Sequence, residues 1–517
     1  MGFVGSLSTR ALPALALGTF LIVAAHEARA QAKPTAIDIA TIGEPGPLDP
    51  VTVTSDLVSI ITQHVFETLY TFDSQWKAQP LLAAALPEIT DGGKLYTITL
   101  RQGVHFQDGG TMAAVDVAAS LQRWLKASPR GKLAAPSVDQ VTAKDASTIE
   151  IKLKQPLAPL LALLALNNGA AAIMPKALTE TTDPLKTYVG TGPYKIVEQK
   201  PDQYLRLVRF EQYSSPPGKP DGYAGERKAL IDELRFVPVP NATTRVDGML
   251  AAQYQFADSL PAEMAPRFKN TQDAQPVVVK PFGFPLMIFN QKTGPMTNVV
   301  LRQAAQAALA PEEMLLAAFG DPAFFAVEGS IYAKGTPFYD AASVKGYNQH
   351  DAKKAAALLK QAGYKGEPIR IMTSPQYDFL YKMSLVAQQN LQEAGFTVDL
   401  QVLDWATLLQ KRGDDKAWEA FFTYHTFVPE PTLITIMNPS YPGWWNTPEK
   451  QAALSEFNTE TDPAKRIEGW KKLQALFDTQ VPAYKVGEFY NLAAINKKLT
   501  NYTPMPWPFF WNVKLGG

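Results

Sequence analysis

The sequence predicts an α/β protein of more than one domain. Strand-like segments with alternating apolar residues recur between segments of helical spacing along the whole chain, a pattern typical of α/β folds. At 517 residues the chain exceeds the roughly 300 residues at which single hydrophobic cores stop growing. The 41 prolines cluster between these periodic segments, where structure-breaking residues belong.

The first 30 residues have the features of a secretory signal peptide. Arg10 supplies the positive charge, residues 11–25 form an apolar stretch, and residues 28–30 give the small-x-small pattern of a cleavage site. The apolar stretch is shorter than the ~20 residues that a bilayer span needs. We therefore expect cleavage after Ala30 and export to the periplasm. Because the chain has no cysteine, we expect no lipid anchor.

Spacing and capping residues predict the main elements in order. Ser55, Asn241 and Asp351 are suited to cap helices, and Gly363 is suited to end one. The predicted elements are a strand at 36–40, a helix from 55 with apolar positions through Leu69, a strand at 96–100, a helix ending near 125, a hairpin over 194–210, helices at 241–252 and 351–362, a strand at 398–402, helices at 448–457 and 463–479, and short apolar runs at 483–486 and 492–495.

Composition and motifs argue against catalysis, cofactors and nucleic acid. Removal of the signal peptide leaves 47 of the 49 basic and 48 of the 49 acidic residues, so there is no basic footprint for nucleic acid. The five histidines are scattered, and no thiolate exists to bind metal. Neither a P-loop nor a nucleophile elbow is present. The sequence therefore predicts no catalytic residues, no metal site and no cofactor.

Several ordered motifs identify a family resemblance. Residues 95–125 read as a strand, a turn with Asp108 and Gly109, and a helix carrying Asp116, Ser120 and Arg123. Further matches lie at 48–50, 190–194, 289–304, 351–364 and 404–423. Together they span nearly the whole chain after the signal peptide. In this set the chain resembles the extracellular solute-binding proteins of family 5, the dipeptide, oligopeptide and nickel class.

The resemblance implies a fold and a role. The fold would be the two-lobed type II periplasmic-binding-protein fold, with an extra subdomain in the first lobe and two hinge crossings. We expect the first lobe at 31–279 with a return at 483–517, and the second lobe at 280–482, with the crossings near 279–281 and 480–482. Ligand would be enclosed between the lobes of a monomer, which would then dock on the permease and ATPase subunits of an inner-membrane ABC importer.

The resemblance also suggests ligand-binding residues: Thr54, Ser55, Asn290, Trp405, Tyr424, His425, Phe427 and Trp444. Several have a structural alternative. Ser55 is suited to be only an N-cap, and Asn290 to bind only backbone groups. Trp405 and Trp444 are suited to packing, and His425 to a satisfied place between the lobes.

One departure from the family pattern concerns the ligand. Peptide-binding relatives place an aspartate shortly before an acidic-proline pair, where it holds the ligand's ammonium. If Glu430-Pro431 is that pair, Phe427 takes the aspartate's place, and a phenyl ring cannot offset the lost hydration of a buried ammonium. The sequence slightly favours a non-peptidic or N-blocked solute over a peptide held differently. Glu430 is the alternative anchor for such an ammonium, but it matches the family's own acidic residue and is interpreted as structural.

Two other classes of function are kept as alternatives. A secreted hydrolase would need a catalytic pair facing one cleft, and the adjacent acids at 312–313 and 414–415 are interpreted as solvated faces. A chemosensory binding protein would present its closed form to a receptor instead of a permease. The leading hypothesis remains solute capture for import.

Overall fold

The computed structural model describes Met1–Gly2 and residues 35–516. The predicted signal peptide lies almost entirely outside the described residues. From Thr35 onward the chain makes one compact unit of mixed strands and helices, so the predicted α/β class is confirmed. Among the described helices, none is both long and apolar enough to span a bilayer.

The strands match the predicted alternating segments closely. The run predicted at 36–40 is β1, and the predicted hairpin is formed by β8 and β9, which pair antiparallel. The described strands are β1 (Ala36–Thr41), β2 (Tyr70–Phe72), β3 (Ala78–Pro80), β4 (Glu88–Thr90), β5 (Leu95–Thr99), β6 (Val138–Ala143), β7 (Thr148–Leu153), β8 (Tyr194–Lys200), β9 (Tyr204–Arg209), β10 (Glu233–Pro238), β11 (Phe256–Leu260), β12 (Ala274–Phe289), β13 (Phe325–Ala326), β14 (Ile369–Thr373), β15 (Val398–Val402), β16 (Ala420–Thr426), β17 (Ala483–Lys485), β18 (Glu488–Asn496), β19 (Leu499–Thr500) and β20 (Lys514–Leu515).

The helices begin largely where capping residues predict. The side chains of Asn241 and Asp351 accept hydrogen bonds from the first turns of their helices, and Gly363 ends α8 in the left-handed region. Ser55 takes the N-cap position of α1, but its side chain makes no capping hydrogen bond. The described α-helices are α1 (Asp56–Thr62), α2 (Ala114–Ala127), α3 (Gly131–Ala134), α4 (Leu160–Ala165), α5 (Ala242–Leu250), α6 (Val299–Ala308), α7 (Pro311–Phe319), α8 (Ala352–Ala362), α9 (Asp378–Glu393), α10 (Trp405–Lys411), α11 (Pro448–Thr459) and α12 (Pro463–Gln480).

A twelve-stranded mixed sheet organises the molecule. Its path runs β15-β14-β16-β12-β18-β11-β1-β10-β9-β8, with β13 and β17 paired beside it. At one end β14 pairs in parallel with β15 and β16, and at the other β1 pairs in parallel with β10 and β11. The long antiparallel strands β12 and β18 join these two sets.

The pairing of β12 and β18 divides the sheet into two halves. Residues 274–279 of β12 pair with residues 491–496 of β18, whereas residues 283–289 pair with β16. The register shifts between Val279 and Gly283. We call residues 35–279 with 490–516 the first half, and residues 283–489 the second half.

The sequence motifs hold the first half together. Arg123 forms a buried bidentate pair with Asp49, at 2.6 and 3.3 Å. Ser120, on the same helix as Arg123, donates a hydrogen bond to the carbonyl oxygen of Met174 and accepts one from its amide. A Cβ on Gly192 would lie 2.5 Å from the carbonyl oxygen of His64, so only glycine allows this close approach. In this structure, the motif residues that carry the family resemblance therefore stabilise the fold.

Candidate functional site

The two halves meet where parallel strands end. Asp56 begins α1 of the first half, and it contacts Tyr424 and Thr426 at the carboxyl end of β16 in the second half. In open α/β sheets, ligands bind outside the carboxyl ends of the strands. We call this contact zone the seam, and it is the candidate site.

A half-buried carboxylate lies at the centre of the seam. Asp56 Oδ1 accepts hydrogen bonds from Trp507 Nε1 at 2.8 Å and from Asn168 Nδ2 at 3.4 Å. Its Oδ2 accepts from the hydroxyls of Thr426 at 2.8 Å and Tyr424 at 3.2 Å. Burial raises the pKa of Asp56 above its ordinary value. Each half thus supplies two donors, and all of them are neutral.

Arg130 brings the nearest positive charge by an indirect route. Its guanidinium donates to Asn168 Oδ1 at 3.3 Å, and Asn168 in turn donates to Asp56. Arg130 also donates to the carbonyl oxygen of Leu433 in the second half. Burial lowers the pKa of Arg130 to about 10. This network links the halves without placing a cation directly on the Asp56 carboxylate.

Aromatic rings continue the seam on both sides of Asp56. The Trp76 ring lies 5.0 Å from Phe427 and 6.4 Å from Trp507. Phe427 also meets Tyr332 at 6.1 Å, and only 7% of Phe427 is exposed. The position that the resemblance assigns to an acid therefore holds a ring packed between rings of both halves.

A second aromatic group leads from Tyr424 to Trp405. The Tyr377 ring lies 5.2 Å from Tyr424 and 4.7 Å from Trp405, edge to face in the latter contact. Burial, together with the charges of Asp56 and Asp258, raises the pKa of Tyr377 to about 12. Trp405 is half-buried at the start of α10. The predicted Tyr424 therefore lies in the seam, and the predicted Trp405 lies beside it, in contact with Tyr377.

The other predicted residues near Asp56 differ in whether their side chains are available to a ligand. Thr54 and Ser55 are exposed and directly precede Asp56. His425 points away from Asp56 because it alternates with Tyr424 and Thr426 along β16. Its Nδ1 lies 2.6 Å from the carbonyl oxygen of Thr426, and its Nε2 accepts from the amide of Thr435 at 3.0 Å. Both ring nitrogens of His425 are thus occupied by backbone groups.

Asn290 and Trp444 lie together at the opposite end of β16. Asn290 follows Phe289, which pairs with Ala420, the first residue of that strand. A seven-residue strand separates this end from Thr426, or about 20 Å. Asn290 binds the carbonyl oxygens of Asp415 and Trp418, and Trp444 stacks on Trp418 at 5.6 Å. The structure places both outside the seam.

Glu430 is held by a structural ion pair. Arg466 donates to its Oε1 at 2.6 Å, and the Thr432 hydroxyl donates to the same oxygen. Burial raises the pKa of Glu430 in spite of the arginine. Glu430 therefore supports the turn after β16, in agreement with its structural interpretation.

Sequence reasoning missed two half-buried acids. Asp56 sits beside the predicted Thr54 and Ser55, so its position in the first turn of α1 was the available signal. Asp258 lies in β11 outside every motif, and only the topology brings it to the carboxyl end of a strand parallel to β1. Among the described residues, no group of three His, Cys, Asp or Glu side chains is arranged to hold a metal ion.

Comparison with known proteins gives consistent matches. The family model described as bacterial extracellular solute-binding proteins, family 5 middle, matches residues 77–446. The probable peptide ABC transporter periplasmic-binding protein y4tO of Sinorhizobium fredii is 25% identical over 483 residues, covering 90% of this chain and 91% of that protein. The glutathione-binding protein GsiB of Escherichia coli K12 is 25% identical over 490 residues, covering 89% and 90%.

Two solved structures have the same fold. The structure of AgaA in complex with agropinic acid, from A. tumefaciens R10, gives a TM-score of 0.81 at 24% identity, covering 93% of this chain and 99% of that one. DppA from Helicobacter pylori in complex with the peptide STSA gives a TM-score of 0.82 at 21% identity, covering 94% and 99%.

Proposed function

The chain belongs to the bacterial extracellular solute-binding proteins of family 5, and we propose that it captures a peptide or peptide-like small solute in the periplasm for an ABC importer. The family resemblance and the type II periplasmic-binding-protein fold are both confirmed. Relatives named as a peptide-binding and a glutathione-binding protein support a peptide-like ligand for this chain.

The observation that carries the proposal is the hydrogen bonding of Asp56. A single carboxylate of the first half accepts two hydroxyls from the second half, at the edge where strands of both halves end. Contacts of this kind form only when the halves are closed. A solute enclosed between them gains the closed state's contacts, so ligand binding and closure are coupled.

We propose that the halves are the two lobes of this fold. The switch in pairing along β12 supports a first crossing at 279–283, close to the crossing predicted at 279–281. For the return crossing, β17 still pairs with residues 286–288 of the second half. The chain therefore re-enters the first half near 489–491, about eight residues beyond the predicted 480–482.

Of the predicted ligand residues, we propose that Thr54, Ser55, Trp405, Tyr424 and Phe427 line the solute site. All five lie along the seam, and they combine aromatic walls with a few polar groups, as small-molecule sites commonly do. His425 is proposed to position β16 instead, since its nitrogens bind backbone groups. Asn290 and Trp444 are proposed to stabilise the far end of the strand.

Catalysis by the seam has no support in its geometry. Asp56 already accepts four hydrogen bonds, which is about the capacity of a carboxylate, so it has no free position for a water or a leaving group. The proposed role is therefore binding alone.

A thermal-shift screen of the mature protein tests the proposal. A solute that binds only the native state raises the melting temperature in proportion to the logarithm of its concentration. We expect a shift with at least one di- or tripeptide or amino-acid conjugate. Mass spectrometry of small molecules released on denaturation is the independent check. Absence of both a shift and a released solute would remove the proposal.

A further inference from the structure

A second acid, Asp258, lies near the seam, is half-buried, and uses only part of its hydrogen-bonding capacity. It sits in β11 just beyond Ala257, which pairs with Ala40 of β1, so it lies at the carboxyl end of parallel strands. Its Oδ1 accepts from Asn491 Nδ2 at 3.1 Å, and its Oδ2 accepts from the Ser259 hydroxyl at 3.0 Å. A carboxylate can accept about four hydrogen bonds, and the Ser259 backbone amide also acts on this one, so acceptor capacity remains for another donor.

No cation of the described chain forms an ion pair with Asp258. Arg245 is the basic residue whose charge acts on Asp258, but its guanidinium donates to the carbonyl oxygens of Val239, Pro240 and Ser259. Burial raises the pKa of Asp258 above its ordinary value. A half-buried carboxylate without a counter-ion is only partly solvated in the unliganded protein, and a group perturbed in this way is a candidate for a functional site.

The surroundings of Asp258 include a hydroxyl without a partner. Tyr502 Oη is buried and has no hydrogen-bond partner among the described residues. Asp258 lies close enough to raise the pKa of Tyr502, and it also acts on Tyr377 of the second half. Asp258 thus lies within electrostatic reach of this unpaired hydroxyl and of Tyr377 in the second half.

Asp56 differs from Asp258 in this respect. Its two oxygens are saturated by four donors, two of them from the second half. A ligand ammonium at Asp56 would have to displace hydroxyls that join the halves. Asp258 requires no such displacement, because its unused acceptor positions are available while the halves are closed.

Given the proposed function, we infer that Asp258, assisted by the Tyr502 hydroxyl, binds a primary ammonium group of the solute. The solute class is therefore amines, such as peptides or amino-acid conjugates with a free amino group, in place of N-blocked solutes. The ammonium is held from the first half. Asp258 thus takes the place of the aspartate that is absent at the position of Phe427 in the second half. It is therefore a specificity-determining residue.

The experiment compares matched solutes on matched variants. Dipeptides with a free amino terminus and their N-acetylated counterparts are screened by thermal shift on the mature protein. Every solute that binds is then measured by calorimetry on wild type, Asp258→Asn and Asp56→Asn. Loss of a buried, hydrogen-bonded charge pair weakens binding by about 30-fold or more, and we expect this loss for free amines with Asp258→Asn.

The variants separate a binding role from a structural one. Asparagine retains an acceptor for Asn491 and removes the unpaired charge, so we expect unliganded Asp258→Asn to melt no lower than wild type. Asp56→Asn is expected to change the affinity of free and N-acetylated solutes by the same factor, because it acts on closure. If Asp258→Asn fails to fold, Tyr502→Phe serves instead, with a severalfold loss confined to free amines.

Each remaining outcome has a defined meaning. If N-acetylated solutes bind the wild type as tightly as their free-amine counterparts, and Asp258→Asn weakens the binding of neither, the inference is overturned. The proposed function would then stay intact. A free-amine loss seen with Asp56→Asn and absent with Asp258→Asn would assign the ammonium to Asp56 and likewise overturn it. Absence of binding by every solute would remove both the inference and the proposed function.

Discussion

The substitution Asp49→Asn should destabilise the protein although the two side chains have nearly the same shape. The Asp49 carboxylate accepts from Arg123 at 2.6 and 3.3 Å, and from the amides of Val51 and Leu185 at 2.9 and 3.1 Å. Both partners of the ion pair are buried, at 1% and 0% side-chain exposure. In Asp49→Asn, one oxygen becomes an NH₂ group that faces donors, and the Arg123 charge is left without an anion.

The expected loss follows from this burial. Removing one partner of a buried ion pair costs about 3–5 kcal/mol. Arg123 keeps its hydrogen bonds to the carbonyl oxygens of Thr181 and Asp183, so we expect the lower end, about 3 kcal/mol. With an unfolding entropy of ~2.1 cal/mol/K per residue over the compact unit of roughly 480 residues, this corresponds to a fall in melting temperature of about 3 °C.

Differential scanning calorimetry of Asp49→Asn and of a matched control measures this effect. Asp139→Asn makes the same chemical change in an exposed pair, where Asp139 and Lys152 are 3.6 Å apart with 44% and 62% side-chain exposure. Such pairs contribute at most about 1 kcal/mol, so the control should melt within about 1 °C of wild type. Equal melting temperatures for the two variants would refute the argument that the motif acid stabilises the fold.

Three further predictions concern other buried positions. Glu430→Gln should lower the stability by about 3 kcal/mol because it leaves Arg466 unpaired, and it should leave the solute preference unchanged; a selective loss of amine binding would make Glu430 the ammonium site instead. Burial lowers the pKa of His64 to about 3 and of His425 to about 4, below the value near 6.5 in the unfolded chain, so both rings stay neutral in the fold. Because only the unfolded chain takes up these protons, the two rings together cause a loss of about 4 kcal/mol of stability as the pH falls from 7 to 5. Their Cε1 proton resonances should not move over that range, and a titration midpoint above pH 5 would contradict the burial argument. Gly192→Ala should lower the stability by about 3 kcal/mol, measured by urea unfolding, since its Cβ would lie 2.5 Å from the carbonyl oxygen of His64, and a variant of wild-type stability would show that this backbone contact is looser than the structure indicates.

Much of the fold was predictable because its signals are local. Alternating apolar residues and capping side chains correctly predicted β1, β5, the hairpin of β8 and β9, and the helices after Asn241 and Asp351. The helix after Ser55 was predicted to run farther than it does. It ends at Thr62, and apolar residues with helical spacing continue beyond it, since Val65 and Leu69 are buried in irregular structure.

The candidate site was less predictable because it depends on long-range pairing. Residues beside a recognisable motif, such as Ser55 and Trp405, lie along the seam. Asn290 also belongs to a motif match, yet the direction of β12 carries it to the far end of β16. Asp258 has no local signal, and it reaches the seam only because β11 lies parallel to β1. Spacing along the chain cannot reveal which end of a strand faces the opposite half.

The central claim is that two halves close over a solute, and a distance measurement tests it most directly. The chain has no cysteine, so Lys132→Cys in the first half and Glu449→Cys in the second half give a doubly labelled protein without background. Both positions are exposed. Pulsed electron–electron double resonance on spin labels at these sites should show a long or broad distribution without solute and a single shorter distance with a solute that raises the melting temperature. A distance that stays the same with every such solute would contradict the account.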